Sequence, residues 1–587
     1  MTHIEFPQDL WSETENWIWQ EICSGRIADL NKREGRNEPL DTTNSKGWNE
    51  KRKVRSNFLK QILLRQAHCS AIPHEGVRII GALFTEEINL DHGRLAYQLW
   101  LEHCRFEKAI SLKGLQIDSW FSLEGSTVVD QNEKVISLDL NGAKITGIVG
   151  LGGCTFMNVN LIASSFGSQL SMNKATIFGD LIMNGIRITQ SLLAKEANLN
   201  NVNFIGSTIG GQFNLNGTTI SGDILINVIE VEQALLMGMG ANFNNMKLIG
   251  SKVRGDLILN NARITGNLDI ESSSFHENVY ITASIFEKTT HLIFAHIARN
   301  LNLSGSKFAN LDLSGTRIEG ELSLGSDEKS RTQWNENAQL NLRNVFANTL
   351  QDRRDLDEKQ NKSNAWWKKL HCKQEIWEES WPPKLQLDGF IYHRLGGFNE
   401  NPEPIKCSHD NCDIDMQNRN IQWHINWLDR DLTYSPQPYE QLASVFRSSG
   451  NLIKANRILY ENRKRARTEA WRKGEYSRWL GSSLLNWTIG YGLGARYFRA
   501  LLWVIALTVT GAFILHFSGQ PANGLDSGLA AKAVYSLDQI LPIVEFEKYN
   551  NVKLTGGVAY YFYMQKLFGW VLGSFLIAGL AGLTQKR

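Results

Sequence analysis

Between residues 77 and 325 the apolar side chains recur in a short unit that matches neither the helical period nor a long alternating strand. The stretch Leu257-Ile258-Leu259-Asn260-Asn261-Ala262-Arg263-Ile264-Thr265-Gly266 shows the pattern. Two inward residues flank one outward residue, a Gly or Asn marks a corner beside a small residue, one more apolar residue follows, and a turn closes the unit. The pattern starts again at Leu268 and Val279, returns at Leu301, Leu311 and Leu322, and stands upstream at Leu138, Leu170 and Leu181. A fixed period of about eleven residues marks a stacked architecture. Gly and Asn tolerate the positive φ of tight corners. Strands this short cannot bury a face alone, so coil must stack on coil.

The expected fold is mainly β: a right-handed parallel β-helix solenoid or a close relative. If two units make one coil, about eleven coils at about 4.8 Å each form a rod of about 50 Å. Leucine-rich repeats need a longer period and an Asn ladder that this chain lacks. Pentapeptide solenoids are closer, but an extra residue breaks their step of five. Gly147-Ile148-Val149-Gly150-Leu151-Gly152-Gly153 does not fit a dinucleotide fingerprint and reads as coil corners.

Flanking patterns divide the rest. Residues 1–75 predict a helical N-terminal cap. Trp11, Trp17, Ile18, Ile22 and Ile27 recur near a helical period. After a polar stretch over 31–49, Val54, Phe58, Leu59, Ile62 and Leu63 share a second helical face, with Lys51, Arg52, Lys53 and Arg55 outside it. A solenoid needs such a cap to cover its end coil. Residues 76–325 are the β-helix repeats. Residues 326–430 form an irregular region, Trp-rich at Trp366 and Trp367, with a final coil at Leu385-Gln386-Leu387-Asp388-Gly389-Phe390. Residues 431–495 hold a helical hairpin and a basic juxtamembrane segment. Pro436-Gln437-Pro438 opens the first helix, lined by Leu442, Ala443 and Phe446; Gly450 breaks it; Ala455, Ile458 and Leu459 line the second. Residues 496–587 form a two-span membrane hairpin with a connecting segment. Its transmembrane helices are Ala500–Phe517 and Leu567–Leu583, the second with Gly569, Gly573, Gly579 and Gly582 for close helix approach.

Charge and composition narrow the function. The net charge is +2 and mean hydropathy is −0.27, which fits one or two spans and offers no global field for nucleic acid. Seven scattered cysteines suggest a reducing compartment rather than a disulfide framework. The first residues have neither a basic nor an apolar signal region, so no cleaved signal peptide is expected. Arg496 and Arg499 before the first span, with Lys586 and Arg587 after the second, place both termini in the cytoplasm, at the inner (plasma) membrane. The run Arg463, Lys464, Arg465, Arg467, Arg472, Lys473 and Arg478 is expected to meet anionic lipid headgroups at about 1 kcal/mol per close residue.

Three stretches together resemble a bacterial family of membrane-attached β-helix proteins with pentapeptide-like repeats: Leu311-Asp312-Leu313-Ser314-Gly315, Pro436-Gln437-Pro438-Tyr439-Glu440-Gln441-Leu442-Ala443, and Thr488-Ile489-Gly490-Tyr491-Gly492. Tyr535-Ser536-Leu537-Asp538-Gln539-Ile540-Leu541-Pro542-Ile543-Val544 completes the set, and the similarity covers nearly the whole chain. Members are sometimes labelled membrane-associated oxidoreductases, which implies a redox cofactor. No dinucleotide, haem or flavin motif stands in the chain, so neither a cofactor nor enzymatic activity is expected. Cys407-x-His409-x-x-Cys412 with Cys372 has the ligand types of a zinc site but no paired C-x-x-C, and no metal is expected.

The C-terminal part also resembles two-span pore-loop ion channels in its order of span, short helix, extended segment and span. Ala533-x-Tyr535-Ser536 looks like the start of a pore helix. Thr488-Ile489-Gly490-Tyr491-Gly492 is similar in letters to a potassium filter but precedes the first span, and reads as a juxtamembrane turn. If the segment lines a pore, Pro542 lies on it and Asp538, Glu545 and Glu547 would form cation-favouring rings in a homo-oligomer. The expected function is a membrane-tethered cytoplasmic scaffold or sensor that binds a cytoplasmic protein or self-associates. An oligomeric cation channel gated by the solenoid is the alternative.

Overall fold

The computed structural model describes residues 11–130, 135–325, 331–352, 354–356, 377–396, 416–493, 496, 498–518, 528–541, 552 and 554–584. The chain divides into two compact units, 1–419 and 420–587.

The first unit is a parallel β-solenoid of about 11 turns. Each coil has four short sides, so two eleven-residue units make one turn. One coil runs through Lys252–Val253, Leu257–Ile258, Arg263–Ile264 and Leu268–Asp269. Leu235, Leu257, Val279 and Leu301 stack in parallel register, one per coil. All four are completely buried. Burial of each such side chain stabilises the coil by about 1.5–3 kcal/mol. Phenylalanines also stack coil on coil, with Phe286 and Phe308 rings 4.7 Å apart and nearly coplanar.

Every ten or eleven residues the backbone enters the left-handed region, at Gly185, Glu196, Gly206, Gly217 and Val228 for example. The corner therefore imposes its φ on whatever residue stands there. Val228 and Phe294 adopt it with their side chains 61% and 68% exposed. The next residue faces inward where two sides converge and is mostly small, as at Ala197, Ser207 and Ala295, although Ile186 and Ile229 also fill it. Where it carries a hydroxyl, that group bonds the adjacent coil. Ser306 Oγ donates to the Ile281 carbonyl (2.7 Å) and accepts from the Ser284 amide (3.0 Å). Ser273 does the same with Leu248 (2.7 Å) and Ser251 (3.1 Å). The Gly147–Gly153 stretch contributes the Val149–Gly150 strand and a positive-φ corner at Gly153.

At the N-terminal end, α1 (Glu13–Cys23) starts with a capping box between Ser12 and Glu15, and α2 spans Ser56–Leu64. Ile18 and Ile22 of α1 are buried, as are Val54, Phe58, Leu59, Ile62 and Leu63. Ile27 is exposed because α1 stops before it. The strand Ala28–Asp29 pairs in parallel with Ile79–Ile80 and covers the first coil's edge. Arg52, expected outside the helix face, is buried. Its guanidinium is held by Glu34 (2.6 Å), Asn31 (2.8 Å) and the Gly81 carbonyl (3.1 Å).

The solenoid continues past residue 325. Gln339–Asn341 pairs with Leu311–Asp312, and Lys384–Gln386 pairs with Gln339–Asn341. The stretch at Leu385 is thus a late coil, as its sequence suggested. The repeat fades to the eye because inserted residues lengthen the steps, while the register resumes after each one. Asp352 lies beyond the strand Phe346–Gln351. It is clamped by Arg419 through two 2.7 Å bonds and by Trp381 Nε1 (2.5 Å), with the ion pair wholly buried.

The second unit is helical: α3 (Ile421–Leu428), α4 (Gln437–Ser448), α5 (Leu452–Arg472), α6 (Tyr476–Ile489), α7 (Arg499–Phe517), α8 (Leu529–Ile540) and α9 (Gly556–Thr584).

Candidate functional site

In the second unit, α4 and α5 form the expected hairpin. Leu442, Ala443 and Phe446 face Ala455, Ile458 and Leu459 in a buried seam, and Gly450 turns the chain at φ 78°. The basic run is divided by this packing. Arg465 points inward, donating to Tyr439 Oη (2.5 Å) and pairing with Asp429 (3.2 Å). Burial pushes the Tyr439 phenol up to about 12 against the opposing effect of Arg465. Lys464, Arg472 and Arg478 pair with Glu461, Glu469 and Glu475, each three residues earlier. Arg463, Lys473 and Arg478 line a cleft of about 270 Å³ with Tyr434, Glu440 and Glu469. Arg467 is half-buried on α5.

Beyond α6, Gly490 and Gly492 take positive φ and so does Tyr491, so Thr488–Gly492 is the end of a helix and a turn.

Helices α7, α8 and α9 pack on one another closely at two glycines. A Cβ at Gly511 of α7 would lie 2.2 Å from Ser536 Oγ and 2.9 Å from Gln565 Oε1. A Cβ at Gly569 of α9 would lie 2.0 Å from the Ile540 carbonyl oxygen of α8. Gln565 Nε2 donates to Ser536 Oγ (2.7 Å), to the Ser536 carbonyl (3.1 Å) and to the Leu507 carbonyl (3.3 Å). Ser536 and Gln565 are both buried, while Gln565 Oε1 has no hydrogen-bond partner among the described residues and rests against Gly511. Apolar contacts flank this polar centre: Ala500, Val504, Ile540 and Leu572 on one side, Leu515, Tyr535 and Phe562 on the other. The short helix α8 is thereby fixed against both long ones.

Among the described residues one helix is long and apolar enough to cross a membrane, α7, with 19 residues and a mean hydropathy of 2.1. The sequence expected two such helices. The second stretch, 567–583, falls within the 29-residue α9, whose far end lies partly outside the described side chains. Of the pore-lining candidates, Asp538 is half-buried on α8 and accepts from Gln539 Nε2 (3.1 Å). Pro542, Glu545 and Glu547 lie outside the described residues, as do Cys372, Cys407, His409, Cys412, Trp366 and Trp367.

On the solenoid, Asp269, Glu271 and His291 bring three potential metal-ligand atoms within 4.8 Å of one another. Asp269 and His291 are register partners on adjacent coils, and His291 Nδ1 already bonds Asp269 at 2.7 Å. That bond is an ordinary coil-to-coil pair of the same kind as Glu232–Arg254 at 2.8 Å. Cys104 and Cys154 occupy the small inward corner position and are buried. Burial pushes the Cys104 thiol up to about 12 and raises Cys154 too, so neither is a thiolate nucleophile at neutral pH.

No protein-family model, curated protein or solved structure matches this chain. The sequence placed Ser536 near the start of a short helix but gave Gln565 no role, so their contact was not foreseen. A usable signal did exist: Gln565 is an uncharged polar residue just before a long apolar run that starts at Leu567.

Proposed function

We propose that this protein is a membrane-tethered β-solenoid scaffold or sensor, anchored by α7 and α9 and presenting the solenoid to a cytoplasmic protein or to another copy of itself. The observation that carries this reading is α7. It is apolar along its length, yet Leu502, Ile505, Val509, Phe513 and Phe517 are exposed. A soluble helix would bury such a surface, and lipid is the solvent in which it is stable. The inner membrane, two spans and cytoplasmic termini complete the proposal, with anionic headgroups as contacts for the exposed basic residues of α5 and α6. Alkaline carbonate washing of cell membranes tests the anchor: the full chain stays in the pellet if α7 and α9 span, and is released if they merely associate.

A second reading has its own support. A re-entrant helix needs its backbone buried against protein, and α8 meets that need through Gly511, Gly569 and the Ser536–Gln565 bond. This packing favours an oligomeric two-span cation pathway in which Asp538, Pro542, Glu545 and Glu547 line the route. Cation flux through proteoliposomes, altered by Glu545→Gln with Glu547→Gln, supports that reading. Absence of flux from inserted, folded protein favours the scaffold.

A further inference from the structure

We propose that α6 is an interfacial helix, lying in the headgroup layer of an anionic bilayer with one apolar stripe sunk toward the acyl chains. The inference rests on the membrane-anchored reading and deepens it by naming a second lipid contact. Tyr476, Leu480, Leu484 and Trp487 fall four, four and three residues apart, so they share one helical face. All four are 56–66% exposed. The opposite face is the packed one: Ile489 is buried, and Asn486 Oδ1 accepts from Tyr460 Oη of α5 at 3.0 Å. A helix of this size with four large exposed apolar side chains in a row is out of balance in water.

Three features select lipid as the occupant. Over 461–478 seven cations face three acids, and α6 itself contains no Asp or Glu. The side chains of Arg472 and Arg478, beside the stripe's first residue, are 70% and 74% exposed, which suits anionic headgroups. The stripe begins and ends in Tyr and Trp, residues enriched at membrane–water boundaries. Continuity adds the third. Trp487 packs on Trp503 of α7 at 4.3 Å, and Trp503 Nε1 donates to the Trp487 carbonyl at 3.2 Å, so the far end of α6 is bonded to the first turns of the apolar helix. A helix joined to the entry of a span is held at the depth where headgroups lie.

The test places the photo-crosslinking residue p-benzoylphenylalanine, singly, at Leu480, Leu484, Ser482 and Ile505 of the full-length chain. The protein is reconstituted in vesicles of phosphatidylcholine and phosphatidylglycerol. Phospholipid adducts at Leu480, Leu484 and Ile505, and none at Ser482 on the packed side, are expected. Adducts to lipid at Ile505, with protein adducts or none at Leu480 and Leu484, would overturn the interfacial helix and leave the anchor standing. Lipid adducts at none of the four sites would overturn the anchor and the inference together.

Discussion

Gly569 is the sharpest probe of the helical unit. A Cβ there would sit 2.0 Å from the backbone oxygen of Ile540, an atom that cannot rotate away. Reaching ordinary contact of about 3.4 Å requires α9 to retreat from α8 by about 1.4 Å, far more than a packed interface absorbs. Alanine favours a helix over glycine by about 1 kcal/mol, whereas overpacking costs about 1–3 kcal/mol or more. A clash against a backbone oxygen lies at the upper end of that range, so Gly569→Ala is expected to destabilise the α7–α8–α9 unit by about 2 kcal/mol net. Gly557→Ala, at the start of the same helix with nothing within 4 Å of the added Cβ, is the control and gains helix propensity. Thermal unfolding of both full-length variants in one detergent provides the comparison. Equal midpoints for Gly569→Ala and wild type would refute the close seating of α8.

Other consequences follow from the solenoid. Asp352→Ala leaves the buried Arg419 guanidinium without its carboxylate and is expected to cost about 3–5 kcal/mol, read as a lowered unfolding midpoint of the first unit. Val228→Gly relieves a β-branched residue at φ 55° whose side chain is mostly exposed; a gain of about 1 kcal/mol is expected, and a loss in thermal unfolding would mean the corner tolerates valine without strain. Burial raises the Glu15 carboxyl, but the Arg55 guanidinium and the Ser12 and Arg55 amides outweigh it and hold its pKa below the usual 4.5. Its stabilising contribution is thus present above about pH 4.5 and disappears as pH falls through the lowered folded value. Glu15→Gln should flatten that acid limb, and an unchanged acid profile of stability would contradict the assignment.

The solenoid was legible because its coil sets inward apolar residues at a fixed spacing and a small residue beside most left-handed corners, so Leu257 or Ser284 announces its place locally. The hairpin was legible for the same reason, through Leu442, Phe446, Ile458 and Leu459. What stayed hidden depends on partners distant in sequence. Arg52 and Arg419 look like surface cations until Glu34 and Asp352 are brought to them. Insertions after Leu324 broke the visible period without breaking the register, so coils beyond 325 were read as irregular apart from the one at Leu385. Non-glycine corners such as Phe294 conceal the left-handed turn, since nothing in a phenylalanine's chemistry suggests it. In the second unit the repeat of apolar residues disclosed the long helices, whereas the contact of Ser536 with Gln565 is created only by their packing.

The anchor is tested most directly by fusing alkaline phosphatase after Leu525, between α7 and α8, and separately after Arg587, in bacterial cells. The enzyme is active only outside the cytoplasm. Two spans with cytoplasmic termini predict activity at Leu525 and none at Arg587. Activity at both sites would leave a single span, and activity at neither would contradict the tether itself.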